Sequence, residues 1–145
     1  MNSLGLSLLA ALAGVCTALQ APINAALRGG LNSAVWANVA NFIVGLAAIL
    51  LAAAFLRAPL PSAMERAPWW AWTGGLLGAA YVGLAIFLAP RLGAAAFIAL
   101  LIAGQMIASA LLDHFGWLGL TQRPLDAARL LGVALVIAGA LLIRR

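Results

Sequence analysis

The sequence predicts an all-α, polytopic membrane protein with five transmembrane helices, and three observations carry the prediction. Of the 145 residues, 66% are hydrophobic and 8% charged, against about 45–50% apolar and 25% charged in a soluble domain. Eight arginines and three acids, with no lysine, divide the chain into five uncharged intervals. Turn residues fall in the gaps: Arg28-Gly29-Gly30, Ala58-Pro59-Leu60-Pro61, Ala89-Pro90-Arg91 and Arg123-Pro124 each combine a helix breaker with the end of an apolar run. Five spans of about 20 residues use about 100, so the remainder suffices for termini and four loops. Residues 1–145 are read as a single transmembrane domain.

Each span is justified in order. The first helix, 4–27, lies in the uncharged stretch before Arg28, and the second, 32–56, in the 28 residues between Arg28 and Arg57. The third, 68–89, lies in the 24 residues between Arg66 and Arg91, and the fourth, 93–115, takes in nearly all of the 21 uncharged residues Leu92–Leu112 and runs on through Asp113. The fifth, 125–143, is the shortest, because only 14 uncharged residues separate Arg129 from Arg144. That stretch is about 21 Å of helix, and it spans when both arginines snorkel to the interfaces. The first segment is expected to be retained rather than cleaved. It has no basic region before Leu4, Ala13-Gly14-Val15-Cys16 lacks a small residue just before the cysteine, and the apolar run continues beyond it. Trp69, Trp70, Trp72 and Trp117 fall at one predicted interface and Trp36 at the other, as an aromatic belt does.

Five spans put the termini on opposite sides, so the arginines can be tallied by face. Arg57, Arg66, Arg123 and Arg129 share the N-terminal side, while Arg28, Arg91, Arg144 and Arg145 share the other. Since the excess of Lys and Arg sets orientation, this tie predicts insertion both ways and pairing with an inverted copy or a closely related partner. The alternative is one orientation set by the first helix. Rows of small residues let helices approach closely in lipid: Ala10, Gly14 and Ala18; Gly74, Gly78, Ala79 and Gly83; Ala95, Ala99 and Ala103; Ala134 and Ala138. The nearly featureless fifth helix is expected to face a partner subunit or lipid.

Polar side chains in hydrocarbon are costly and face an interior or a cavity. At 100° per residue, Thr17, Gln20 and Asn24 lie at about 0°, 300° and 340° on the first helix. Asn38, Asn41 and Gly45 repeat that spacing on the second, and Gln105, Ser109 and Asp113 lie within an arc of about 80° on the fourth. Tyr81 falls near mid-depth on the third, with Thr73 nearer its start. These residues are the expected lining of a solute pathway; interhelical hydrogen bonding is the other use of such amides, above all for Asn38 and Asn41. Pro22 removes a helical hydrogen bond and frees the carbonyl of Ala18, either aiming polar groups into a cavity or simply kinking the helix for packing. Asp113, beside His114, is the most nearly embedded acid: the pair either couples proton movement to transport or caps a helix end at the headgroups.

Several functions are disfavoured. The isoelectric point near 11.5 comes from isolated arginines rather than a patch, so nucleic acid is not an expected partner. One cysteine and one histidine give neither a disulfide framework nor a metal site, and no cofactor is implied. No nucleophile, base and orienting group converge by spacing, so the chain is not read as an enzyme. Cys16 reads as a small buried apolar residue.

The residues in this order resemble the YdcZ-like family of the drug/metabolite transporter superfamily, short five-helix bacterial membrane proteins. The resemblance covers essentially the whole chain. It rests on Leu19-Gln20-Ala21-Pro22-Ile23-Asn24-Ala25-Ala26-Leu27-Arg28, Trp72-Thr73-Gly74-Gly75-Leu76-Leu77-Gly78-Ala79-Ala80-Tyr81-Val82, Gly104-Gln105 with Leu112-Asp113-His114-Phe115-Gly116, and Arg129-Leu130-Leu131-Gly132. It implies a half-sized transporter, distantly related to ten-helix carriers with inverted halves and to the antiparallel small multidrug resistance proteins. Those exporters carry a glutamate in the first helix that binds cation and proton. The corresponding region here has Thr17 and Gln20, which leaves cationic-drug exchange by that mechanism without its carboxylate.

The expected function is therefore secondary transport of a small polar or zwitterionic solute across the bacterial inner membrane, by alternating access in an inverted dimer. A small dual-topology ion channel and an accessory subunit of a heterodimeric transporter are the alternatives. The expected partners are lipid, a second or related subunit, and the small-molecule substrate.

Overall fold

A computed structural model describes residues 3–60 and 67–144. Arg66 and Arg145 of the charge tally, and Pro61 of the second gap, lie outside the described residues. All regular structure among the described residues is helical.

The first helix, α1 (Ser3–Leu31), runs through Pro22 as one element and continues past Gly29-Gly30. The turn expected there falls instead at Asn32, whose φ of +49° is a left-handed conformation that asparagine adopts readily at helix ends. Ser33 then caps α2 (Ala34–Phe55), its Oγ accepting from the Trp36 N–H at 3.3 Å. The far end of α2 closes with two reverse hydrogen bonds, Ala58 N–H to the Ala53 carbonyl at 2.9 Å and Arg57 N–H to Ala54 at 3.2 Å. This is a Schellman closure, with Arg57 in the left-handed position usually taken by glycine.

The third span begins as a 3₁₀ turn (Trp69–Thr73), where the Thr73 hydroxyl donates to the Trp70 carbonyl, and continues as α3 (Gly74–Leu92). Pro90 was expected to mark the gap but sits inside the last turn of α3; the break comes at Gly93, with φ +82°. Next come α4 (Ala94–Phe115), a short 3₁₀ turn (Trp117–Gly119) and α5 (Ala127–Ile143). Asp126 caps α5 by accepting from the Arg129 N–H at 2.7 Å, which starts that helix two residues later than expected.

Length and composition make four of these segments capable of crossing a membrane: Ser3–Leu31, Ala34–Phe55, Trp69–Leu92 and Ala94–Phe115. The fifth, Ala127–Ile143, is a shorter apolar helix. All five tryptophans are exposed, as are Leu8, Val44, Leu51, Leu76 and Leu135 among many apolar residues. In lipid such exposure is favourable, since acyl chains are as apolar as leucine.

The chain forms two compact units, Met1–Arg91 and Leu92–Arg145. In the first, Ala37 of α2 packs on Val82 and Ile86 of α3, with Ala34 and Tyr81 against them. The small-residue row of α3 has a visible use here. Phe42 lies over Gly78, and Asn38 packs so closely on Gly83 that a Cβ there would stand 3.3 Å from its Nδ2. In the second unit, α4 packs against α5.

Candidate functional site

The polar stripe of α1 meets α2 in an open cleft of about 450 Å³, lined by Cys16, Thr17, Leu19, Gln20, Ile23, Asn24 and Asn41. Asn24 is only 4% exposed. Its Nδ2 donates to Oδ1 of Asn41 at 3.1 Å, and Nε2 of Gln20 reaches the same oxygen at 3.4 Å. Three side-chain amides carry six N–H donors and three oxygens between them. Among the described residues, two donors and one oxygen are engaged; the other four N–H groups and the oxygens of Gln20 and Asn24 remain for a ligand or water. The lining holds no formal charge. Such a surface can offer a solute hydrogen bonds but no ion pair. Thr17 adds little, because its hydroxyl donates to the Ala13 carbonyl of its own helix at 3.0 Å.

The other expected lining residues are placed elsewhere. Asn38 faces α3, where its Nδ2 donates to the Ala79 carbonyl at 2.9 Å, and its buried Oδ1 has no partner among the described residues. Tyr81 packs on the apolar cluster between α2 and α3. Gln105 and Ser109 belong to the second unit: Gln105 is exposed on α4, and Ser109 lines a separate cavity between α4 and α5. Cys16 is exposed on the cleft wall rather than buried. Its place was legible from the four-residue step to Gln20, one helical turn.

Asp113 and His114, the candidates for proton coupling, hold the connector that follows α4. Asp113 pairs with Arg129 of α5, Oδ2 to Nη2 at 3.2 Å, with both side chains 35% exposed. Its carbonyl accepts from the Arg123 N–H at 2.7 Å. His114 Nδ1 accepts the Leu125 N–H at 3.1 Å, and its carbonyl accepts from Gln122 Nε2 at 3.1 Å. Gly116 ends α4 at φ +64°, and a Cβ there would stand 3.2 Å from the Leu120 carbonyl oxygen. The glycine of the Asp-His-Phe-Gly run is thus required by the backbone. Arg129 was missed as a partner of Asp113, although opposite charges flanking one helix-to-helix connector are a signal for it.

A search among curated proteins and one among solved structures returned no match. A family model described as "Putative inner membrane exporter, YdcZ" matches residues 5–142, taking in both units and all five helices. The amide stripe of α1, the glycine row of α3 and the Asp-His-Phe-Gly end of α4 all lie inside the match, and the chain belongs to the YdcZ family of inner-membrane exporters within the drug/metabolite transporter superfamily.

Proposed function

We propose that this multi-pass inner-membrane protein is a half-sized secondary transporter that exports a small polar or zwitterionic solute. The observation that carries the reading is the uncharged cleft of Gln20, Asn24 and Asn41, with most of its amide hydrogen-bonding capacity unused. Binding there is by hydrogen bonds, and a ligand lacking them leaves buried amides unpaired, which costs about 1–3 kcal/mol each and supplies selectivity. The family's description as an exporter supports an outward direction. Two copies in opposite orientations, or one copy with a related partner, provide the inverted repeats from which alternating access follows. The balanced arginine tally supports this arrangement.

Two measurements test the reading. Reporters active on opposite sides of the membrane, fused to the C-terminus, should both signal at comparable levels; signal from one alone means a fixed orientation and rules out the inverted homodimer. Purified chain in proteoliposomes, screened against pooled polar metabolites, should move a solute, and Gln20→Leu or Asn24→Leu should abolish that movement without changing the oligomer. Unchanged transport in both variants removes the cleft from the mechanism.

A further inference from the structure

The pairing of Asp113 with Arg129 is not isolated on the surface. It forms the polar end of a cavity of about 210 Å³ between α4 and α5, whose walls are otherwise Met106, Ala110, Leu125, Gly132 and Val133, with Ser109 one turn in from Asp113. From Asp113 to Met106 is seven residues, about 10 Å of helix. The cavity therefore has a charged end and an apolar end.

The ion pair also has unused capacity. Of the five guanidinium N–H groups, Nη1 donates to the Arg123 carbonyl at 3.0 Å and Nη2 to Asp113 Oδ2 at 3.2 Å. Three N–H groups and the second carboxylate oxygen, Oδ1, have no partner among the described residues. A ligand cation would find an acceptor here but also an arginine; a ligand anion would find donors but also a carboxylate. A molecule carrying both charges on neighbouring atoms complements both. A cavity of about 150 Å³ takes a benzene-sized group, so this one has room for a branched aliphatic or small aromatic body.

We propose that the α4–α5 cavity binds a small zwitterion with an apolar body, its cationic end at Asp113, its anionic end at Arg129 and its body against Met106, Leu125 and Val133. That chemistry has two sources, a free amino-acid-like solute and a zwitterionic phospholipid. The proposal goes beyond the transporter reading to a second site, and its test needs no transport, so its failure leaves the amide cleft untouched.

The test is equilibrium binding to the purified full chain in detergent. The probes are L-leucine, the cation L-leucinamide, the anion 4-methylpentanoate, and glycine, which has no body. Leucine should bind at least tenfold more tightly than the other three. Gly132→Leu should remove this binding while circular dichroism and oligomeric state stay unchanged, because a side chain at Gly132 starts in open space and fills the cavity. Asp113→Asn should shift preference toward 4-methylpentanoate and Arg129→Gln toward leucinamide, inversions that a purely structural ion pair does not produce. Repeating the assay in phosphatidylethanolamine and phosphatidylglycerol nanodiscs separates the sources: loss of leucine binding only in phosphatidylethanolamine assigns the cavity to lipid, and equal binding in both assigns it to a free solute. Equal affinity for all four probes, or binding unaffected by Gly132→Leu, overturns the proposal. So does an absence of probe binding together with equal phosphatidylethanolamine retention by the wild type and Gly132→Leu.

Discussion

Arg28 of α1 donates from Nη1 to the main-chain carbonyl of Ile86 in α3, at 3.4 Å. The acceptor is not arbitrary. Ile86 lies four residues before Pro90, which has no N–H to return to it, so the arginine supplies the donor that the proline withholds. The contact binds the first and third helices of the unit at the point where α3 loses its own ladder.

A double-mutant cycle follows. Arg28→Leu should destabilise the protein by about 0.5–1.5 kcal/mol, the ordinary net worth of such a bond, and should cost nearly nothing in a Pro90→Ala background, where the helix satisfies its own carbonyl. Thermal unfolding in detergent reads both. Equal costs in the two backgrounds would show that Arg28 acts through its charge alone.

Asn41 and Gln20 should separate stability from transport. Asn41→Leu strips from buried Asn24 the one side-chain acceptor it has among the described residues, and an unsatisfied buried amide costs about 1–3 kcal/mol. Gln20→Leu removes a longer bond from a half-buried side chain and should leave the melting temperature within a few degrees. Both variants should lose transport. A Gln20→Leu protein that melts as early as Asn41→Leu contradicts this division.

Cys16 offers a reporter that needs no engineering, being the one cysteine in the sequence and exposed on the cleft. A bulky thiol reagent should label it and stop transport, and a transported solute should slow the labelling. Cys16→Ala should transport normally and resist the reagent. Inhibition that persists in Cys16→Ala would place the reagent's target elsewhere.

Five helices were legible from the lengths of the uncharged intervals, and the wet face of α1 from local periodicity. Thr17, Gln20 and Asn24 share one side of the cleft as their spacing predicts. Which neighbour each face meets was not legible. Asn38 and Asn41 stand about 60° apart on their helix, and that offset turns one toward α3 and the other toward α1. Tyr81, at mid-depth, went to an apolar cluster for the same reason. Arginines used as boundary markers misplaced two ends: Arg28 lies inside α1, whose left-handed turn comes at Asn32 rather than at Gly29-Gly30, and Arg91 lies inside the last turn of α3.

Asn38 carries an internal test of what it is for. Its hydrogen bond to Ala79 is worth about 0.6 kcal/mol by the average for membrane proteins, while its unpartnered Oδ1 costs about 1–3 kcal/mol. Asn38→Leu, similar in volume, should therefore leave the melting temperature unchanged or raise it. A fall of several degrees would mean that Oδ1 has a partner in the membrane.

His114 accepts the Leu125 N–H through Nδ1, which requires that nitrogen to be unprotonated. His114→Ala should speed hydrogen exchange at Leu125, and His114→Asn, whose side-chain oxygen can take the place of Nδ1, should slow it again. Protection that survives in the alanine variant would show that the contact does not hold the connector.

The seventeen residues of α5 measure about 26 Å along the helix axis, some 4 Å short of a typical hydrocarbon core of about 30 Å. At a fraction of a kcal/mol for each ångström of mismatch, the shortfall amounts to roughly 1–2 kcal/mol. Acyl-chain length thus becomes a thermodynamic variable of this protein. Reconstituted in bilayers of increasing thickness, it should lose stability progressively, with α5 the first helix to show faster hydrogen exchange.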